Sequence, residues 1–573
     1  MNLLKKIWWS LDRFKYKTIV FAFILLVSVI FETLGVGVIY QILNIITNVD
    51  FVQNNEYLYL IKNEFNFSSN EIIIFVLFLV IIIFIIKNTL IIFFTRWQQN
   101  FLNLFDVTIS DKLFTYYINQ PYERYLKNNS SVYVRNLTVE MSNFKGALQI
   151  LITLITESIV IIFITSFLIY IDPVITFSIF LILAIFSSFY FFGPINSYLK
   201  EWSNKRLLYT NRYSKYLIQG LASVKEIRVY QSEQEARNDH YDNKKKVNDL
   251  TRHLIVLNTI PKNIFEIITI SIIGGYITYF ILNDKELINI VPLAGVYLAA
   301  AYKILPSLVK IINATNTLKF LNASINYIYD ELKEAKKIHK DKATTDFSEI
   351  FEKLEFKNVS FKYSNTTKVV LKNVSLKINK GEIIGIKGES GSGKSTLINL
   401  MLGLLKPTSG KILVNNKSIE KLKKSWLKIV SYVPQDVFIT DNDIFKNVGF
   451  GEKKSEIDKP KVVKFLKKLK IYKDIKSKGL NKNLGERGAY FSGGQAQRVV
   501  FARALYKNPD IIFFDEATSG LDKKNEQNIF KILLKLKEKK TLIISSHNDD
   551  LLNICDYVIE LKSGLFLKKK YEK

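Results

Sequence analysis

Apolar residues are gathered into long unbroken runs in the first 315 positions of this chain and thin out afterwards. Six runs are long enough to cross a bilayer, whose hydrocarbon core takes about 20 helical residues. They extend from Ile19 to Ile46, Ile72 to Phe94, Ala147 to Ile171, Val174 to Phe192, Ile264 to Leu282 and Leu287 to Ile312. The first is too long for a secretion signal and no small-residue cleavage site follows it, so it is expected to stay as a span. Ahead of it Leu3, Leu4, Ile7, Trp8, Leu11 and Phe14 recur at helical spacing between lysines, which predicts a helix lying in the membrane interface. From about Asp330 the pattern changes. A charged linker, placed at 326–350, leads into alternating strand-like and helix-like runs that continue to the C-terminus, as in an α/β domain. The expected fold is an all-α transmembrane domain of six spanning helices over 1–325, then an α/β domain over 351–573.

Charge sets the orientation. Lys5, Lys6, Arg13, Lys15 and Lys17 precede the first span, while the loop after it carries Lys62 against Asp50, Glu56 and Glu64, which places the N-terminus in the cytoplasm. The outer links are as short as Asp172-Pro173 and Asn283-Asp284-Lys285-Glu286, whereas the inner connections, 95–146 and 193–263, are long and basic. Both termini are therefore expected inside, in a multi-pass protein of the bacterial inner (cytoplasmic) membrane. The net charge of +28 would suit nucleic acid or an anionic membrane surface. Because the basic residues sit beside span ends, the reading is membrane lipid and no nucleic acid. Cys555 is the single cysteine and excludes an intrachain disulfide.

Phosphate chemistry is written in the second half. Gly388-Glu-Ser390-Gly391-Ser-Gly393-Lys394-Ser395-Thr396 follows the apolar run Ile383–Ile386 and precedes the helix-like 397–405, the strand, glycine-rich loop and helix that a P-loop requires. Its glycines let backbone N–H groups face phosphates, Lys394 adds a point charge and Ser395 offers a hydroxyl to Mg²⁺. Ile511–Phe514 reads as a buried strand ending in Asp515 and Glu516, one carboxylate for Mg²⁺ and one to polarise an attacking water. Phe491-Ser492-Gly493-Gly494-Gln495 lies between them, just before a helix-like run to Tyr506.

On these motifs the segment from about Leu354 to Gly564 resembles the nucleotide-binding domain of an ABC transporter. The resemblance implies ATP and Mg²⁺ as cofactors and an ATP-hydrolysing translocase. It assigns Tyr363 to stacking on adenine, although an aromatic there also suits a plain strand. It further assigns Gly388, Ser390, Gly391, Gly393, Lys394, Ser395 and Thr396 to the phosphates, and Gln435 to Mg²⁺ contact in the Q-loop. Ser395, Gln435 and Asp515 become the metal ligands. Glu516 becomes the catalytic carboxylate, with Gln435 and His547, the γ-phosphate switch, beside it. Ser492, Gly494 and Gln495 match the signature that binds nucleotide held by the other subunit, and Asp522 in Ser519-Gly-Leu-Asp522 matches the D-loop. Phe491 and Gly520 stand where leucine and alanine are usual. A signature acting in trans implies a homodimer of half-transporters, and Leu484-Gly-Glu-Arg-Gly488 resembles the loop that marks exporters.

Ionisable residues inside spans are costly and become functional hypotheses. They are Glu32, Lys87, Glu157, Glu266 and Lys303, with Lys262 at the start of the fifth span. Lys87 lies about 22 Å down its helix, in the inner part of the span, where it could also snorkel to the interface. Lys262 could simply pair with Glu266. Phe31-Glu32-Thr33, Pro121-Tyr-Glu-Arg-Tyr125, Ile260-Pro-Lys262-Asn-Ile-Phe-Glu266 and Tyr302-Lys303-Ile-Leu-Pro306 resemble the PglK-type flippase of lipid-linked oligosaccharides. That resemblance implies an anionic lipid-linked glycan as substrate, its pyrophosphate attracted by Lys87, Lys262 and Lys303, where the family has arginines. It also implies an external helix in the 57–65 stretch that engages the polyprenyl tail, where a helix could equally serve as a plain cap on the membrane domain. Another lipid of lipid A type, a peptide or a hydrophobic drug is the alternative cargo.

Overall fold

The computed structural model describes residues 3–11, 14–17, 27, 30, 64, 68–178, 181, 185, 194–282, 291–340, 350–485, 488–518, 522–537, 539–562 and 564–569. Most of the first span, Glu32 included, most of the fourth span, the 57–65 stretch apart from Glu64, and Glu486, Arg487 and Ser519–Leu521 lie outside them. The chain divides into two compact units. One comprises 1–120 and 128–340, and the other 121–127 and 341–573.

The first unit is helical. Its elements are α1 (Leu3–Leu11), α2 (Ser69–Asn119), α4 (Ser130–Arg135), a π-helical turn (Asn136–Glu140), α5 (Met141–Ile171), α6 (Ile195–Ala222), α7 (Val224–Val229), α8 (Glu233–Leu282), α9 (Val291–Phe320) and α10 (Asn322–Lys340). A short helix, α3 (Tyr122–Lys127), interrupts them and belongs to the second unit. Among the described residues four helical stretches, 74–119, 130–171, 233–272 and 295–320, are long and apolar enough to cross a membrane, in the places of the second, third, fifth and sixth predicted spans. Ser68 starts α2 with a capping box, its hydroxyl accepting from Glu71 N while Glu71 accepts from Ser68 N. At the link between the third and fourth spans, Asp172 Oδ1 accepts from the amides of Val174 and Ile175.

Charge alone marks the stretch after Asp330 as linker, yet α10 stays helical to Lys340. The reason is a buried stripe, Ile325, Ile328 and Leu332, packed with Phe105 and Phe144 in one cluster. Each such burial contributes about 1.5–3 kcal/mol, enough to hold a charged helix in place. Helix α1 divides its apolar residues. Ile7 and Leu11 are buried in that same cluster, whereas Leu4 and Trp8 remain exposed.

A polar cluster sits inside this apolar packing. Glu140, with none of its surface exposed, faces Arg135 Nε at 4.0 Å and Arg206 Nη2 at 3.9 Å. Arg206 also bonds Ser324 of α10, and Arg135 donates to Asn136, which donates to the Tyr117 hydroxyl at 2.9 Å. Burial lowers the Arg206 pKa, the neighbouring Glu140 opposing that shift. The widened π turn carries both Asn136 and Glu140 inward.

The second unit is built on two sheets. Four strands, β1 (Lys353–Phe361), β2 (Leu371–Asn379), β4 (Ser409–Val414) and β5 (Lys417–Ser418), pair antiparallel in the order β2-β1-β4-β5. The other sheet runs β10-β9-β3-β8-β7-β6, from β3 (Ile383–Gly388), β6 (Val430–Val433), β7 (Ile511–Asp515), β8 (Thr541–Ser545), β9 (Tyr557–Lys562) and β10 (Leu565–Lys569). Its strands are parallel except β10, which joins β9 antiparallel at the edge. Central parallel strands are covered on both faces and so read as unbroken apolar runs, as Ile511–Phe514 and Leu542–Ile544 do. Ligands in such sheets bind beyond the carboxyl ends of the strands, where the predicted phosphate residues lie.

Candidate functional site

β3 ends at Gly388, and the loop turns into α11 (Lys394–Met401). Gly391 and Gly393 take φ of 79° and 104°, values that side chains resist, and a Cβ on Gly388 would stand 2.7 Å from Leu561 O. The backbone can therefore curl where other residues could not. Lys394 is buried at the loop's centre. Its ammonium donates to Gly388 O at 2.7 Å and stands 2.8 Å from His547 Nε2 and 3.3 Å from Glu516 Oε1. Gln435 Nε2 donates to Glu516 Oε2 at 2.8 Å, and His547 Nε2 lies 3.3 Å from Glu516 Oε1. The P-loop lysine, the proposed catalytic carboxylate, the Q-loop amide and the switch histidine thus form one connected group, built from the ends of β3, β6, β7 and β8.

Glu516 follows β7 in the left-handed region, with φ of 48°. A non-glycine residue held there at a site of chemistry is strain fixed by its surroundings. Here the Glu516 amide donates to Ser545 O at 3.0 Å. Asp515, one residue earlier, is buried. Burial raises its carboxyl above the ordinary range, while the nearby Ser395 hydroxyl and the hydrogen bond from the Tyr432 hydroxyl act to lower it. The contact between Ser395 and Asp515 matters for the metal. Mg²⁺ takes one or two protein oxygens together with phosphate oxygens and water, and a hydroxyl beside a carboxylate at the foot of a phosphate cradle supplies that set. The residues fit Mg²⁺, which Ser395 and Asp515 would hold, whereas Gln435, the third residue assigned to the metal, donates to Glu516 instead. If bound there the ion would supply charge neutralisation to the terminal phosphates. Beside it Lys394 brings a cation that a phosphate could meet, Glu516 a carboxylate able to polarise water, and His547 a ring nitrogen 3.3 Å from that carboxylate.

Tyr363 packs edge-on against Phe361, with centroids 4.9 Å apart, and its hydroxyl lies 3.0 Å from Thr396 Oγ1. The aromatic is therefore tethered to the start of α11. Beside it, Ser364 donates through its amide to Glu123 Oε1 at 3.3 Å and through its hydroxyl to the same oxygen, which fastens α3 to this edge. Ser492 caps the helix Gly493–Tyr506, α12, through a capping box with Gln495. The remaining contacts of Gln495 and Gly494 run to Asp474 and Arg498 rather than to the P-loop. Ser492 and Gly493 are exposed at the N-terminal end of α12, the geometry of an anion site open to an outside ligand. Asp522 caps the next helix, accepting from Asn525 N at 2.8 Å.

The first unit places the predicted substrate lysines differently from one another. Lys87 of α2 is buried, its ammonium 5.0 Å from the Phe84 ring centroid. Lys303 of α9 is half-buried and Lys262 of α8 exposed. Lys262 and Glu266 form no ion pair among the described residues, so the local pairing is not adopted. An unforeseen group joins α5 to α9. Glu157 accepts from Ser307 Oγ at 2.6 Å and from Lys310 Nζ at 2.6 Å, with the Lys310 side chain more than half exposed. Tyr432, Ser545 and Lys310 all escape sequence reading, and Glu123 enters it only inside the motif Pro121-Tyr-Glu-Arg-Tyr125. Their importance follows from strand register and helix pairing, for which the sequence carries no local motif.

Comparison with known proteins agrees with this geometry. Residues 371–519 match the family model described as ABC transporter. A protein named as an export ATP-binding/permease protein in Rickettsia typhi is 36% identical over 214 residues, 37% of this chain and 37% of that protein. The ATP-dependent lipid A-core flippase 2 of Colwellia psychrerythraea is 35% identical over 238 residues, 40% of each chain. These matches span well under half the length of those relatives. The fold extends further. A solved structure of a bacterial Atm1-family ABC exporter with ATP bound superposes with a TM-score of 0.72 at 17% identity, covering 97% of this chain and 95% of that one. Residues 371–519 thus match the ABC transporter family model, within a chain folded like an ABC exporter.

Proposed function

We propose that the chain works as a homodimeric, ATP-driven flippase that moves a polyprenyl-pyrophosphate-linked oligosaccharide from the inner to the outer leaflet. The observation that carries the cargo is the set of cations in the membrane helices. Lys87 is buried on α2, Lys262 opens the span of α8, and Lys303 and Lys310 stand two turns apart on α9. A cation in a span is retained against a cost of about 2.5–3.5 kcal/mol each on insertion scales, and phosphate is the ligand that calls for several. Lysines supply charge without the bidentate geometry of arginine, which favours a headgroup held by charge rather than by a fixed fork. The open end of α12 supports the dimer, since it has its anion site turned to outside ligands and no phosphate residue of its own chain upon it. The flippase name of the Colwellia relative agrees with a lipid cargo, and its lipid A-type substrate is the competing reading.

The test is ATP-dependent translocation in proteoliposomes, offered a polyprenyl-pyrophosphate oligosaccharide or a lipid A, with the Glu516→Gln protein as blank. Movement of the first lipid above the blank, lost on Lys303→Ala with hydrolysis retained, is the expected result. Movement of lipid A alone replaces the cargo, and movement of neither alongside brisk hydrolysis removes lipid flipping.

A further inference from the structure

More than half of the His547 side chain is exposed, so packing does little to aim it. The imidazole nonetheless stands 2.8 Å from the Lys394 ammonium and 3.3 Å from Glu516 Oε1. Its place is therefore set by the backbone that carries it. That backbone leaves β8 at Ser545 and enters a four-residue helix, α14 (Asp549–Leu552), which follows α13 (Lys523–Lys537) in the chain. Upstream of the histidine, Ser546 N donates to Ile386 O of β3 at 3.2 Å. One side of the turn is thus tied to the sheet.

Asn548 ties the other side. Its backbone N–H donates to Ser546 Oγ at 2.9 Å, and its Oδ1 accepts from Asp550 N at 2.9 Å, which caps α14. Both of those bonds stay within the segment and cannot direct it. The third leaves it, Nδ2 donating to Glu526 Oε1 of α13 at 2.8 Å. The Asp550 amide can only donate and the Glu526 carboxylate only accept, so one side chain meets both needs by carrying an acceptor and a donor side by side. Aspartate or serine would cap α14 equally well. Aspartate has no donor for Glu526, however, and serine ends one atom short of it. The acceptor is itself fixed, since Glu526 N donates to Asp522 O at 2.9 Å in the first turn of α13, a place that suits a carboxylate.

We propose that Asn548 and Glu526 are a positioning pair for His547, their hydrogen bond fixing the turn that brings the imidazole to Lys394 and Glu516. This rests on His547 acting in hydrolysis and is independent of the cargo. Without the bond the turn is held to the sheet on one side alone, at Ser546, and the imidazole is free to drift out of line. A misalignment of that kind slows the reacting step, and it leaves the base and phosphate contacts of the nucleotide as they were.

The full chain in detergent is followed by phosphate release across ATP concentrations, with a thermal melt of each protein. Expected is a kcat lowered roughly three- to tenfold in Asn548→Ser and in Asn548→Asp, with the KM for ATP and the melting midpoint unchanged. Asn548→Asp combined with Glu526→Gln exchanges donor and acceptor, and it should recover most of the parental kcat. Parental turnover in both single variants overturns the proposal. A lower kcat that comes with a lower midpoint or a higher KM also overturns it, by showing a merely structural asparagine. If the exchanged pair turns over no faster than Asn548→Asp alone, the pairing with Glu526 is overturned. His547→Ala is measured beside them, and parental turnover there removes the histidine's role and the proposal with it, while ATP hydrolysis itself stands.

Discussion

Charged side chains converge at two places in this chain, on opposite principles. At the P-loop, Lys394, Glu516, His547 and Gln435 stand 2.8–3.3 Å apart, and the Glu516 and His547 side chains are 21% and 54% exposed. Beneath the helices of the first unit, Arg135, Glu140 and Arg206 are almost wholly buried, yet stand 3.9–4.0 Å apart, with Arg135 Nε, Arg206 Nε and Glu140 Oε1 lacking a hydrogen-bond partner. Water reaches the first group and does not reach the second. Close contact in a wet site makes charges available for chemistry, because each partner can be exchanged for a phosphate oxygen at small cost. Loose contact in a dry site cannot be exchanged for anything, so those charges serve to fix how helices meet.

The contrast predicts which loss each group inflicts. Glu516→Gln should slow steady ATP hydrolysis by a factor on the order of 10² to 10⁴, while nucleotide binding and the unfolding midpoint stay as they were. Phosphate release beside a thermal melt decides it, and a lowered midpoint would erase the distinction. Glu140→Leu should do the reverse, leaving two guanidinium groups buried without a counter-charge and destabilising the first unit by about 3–5 kcal/mol. Replacing Arg135 and Arg206 by Met in the same protein should restore most of that stability. If the triple variant melts as early as the single one, the three residues are not one electrostatic unit.

Much of the nucleotide site was legible because its parts are contiguous. Gly388 to Thr396 carry their strand, loop and helix context with them, and Asp515 and Glu516 follow an unmistakable buried strand. The dry cluster was not, since Arg135 and Glu140 sit at an interface-like stretch of charged sequence and Arg206 arrives from a distant helix. Only folding reveals that a π turn points Glu140 inward. Lys310 is hidden for a related reason. A lysine two residues before the end of a span at Ile312 reads as an interface residue, and only the pairing of α5 with α9 shows that Glu157 meets it. The short helix α3 follows the second span in sequence but folds with the nucleotide-binding unit, because Tyr122 and Glu123 find their partners there.

Two smaller effects sharpen the boundary between chemistry and support. Tyr363→Ala should raise the KM for ATP by the equivalent of about 1–3 kcal/mol, the value of stacking on a base. Tyr363→Phe, which loses only the hydroxyl near Thr396, should change it by about 0.5–1.5 kcal/mol. Equal effects would place the aromatic's role in its hydroxyl. Smallest of all, Lys387→Met breaks the pair with Asp549, whose side chains are 37% and 65% exposed, and should move stability by no more than about 0.5 kcal/mol. A larger change in urea unfolding would mean that surface pairs in this lysine-rich chain count for more than their exposure suggests.

The left-handed backbone at Glu516 has an evolutionary side. A residue with a side chain costs about 1–3 kcal/mol in that conformation, and a glycine would relieve it. Selection for a sturdier domain and selection for a turning-over one therefore pull position 516 in opposite directions. While hydrolysis is under selection the strained glutamate persists. In a descendant that kept the architecture but no longer needed turnover, this is among the first places where decay of function would be rewarded with stability.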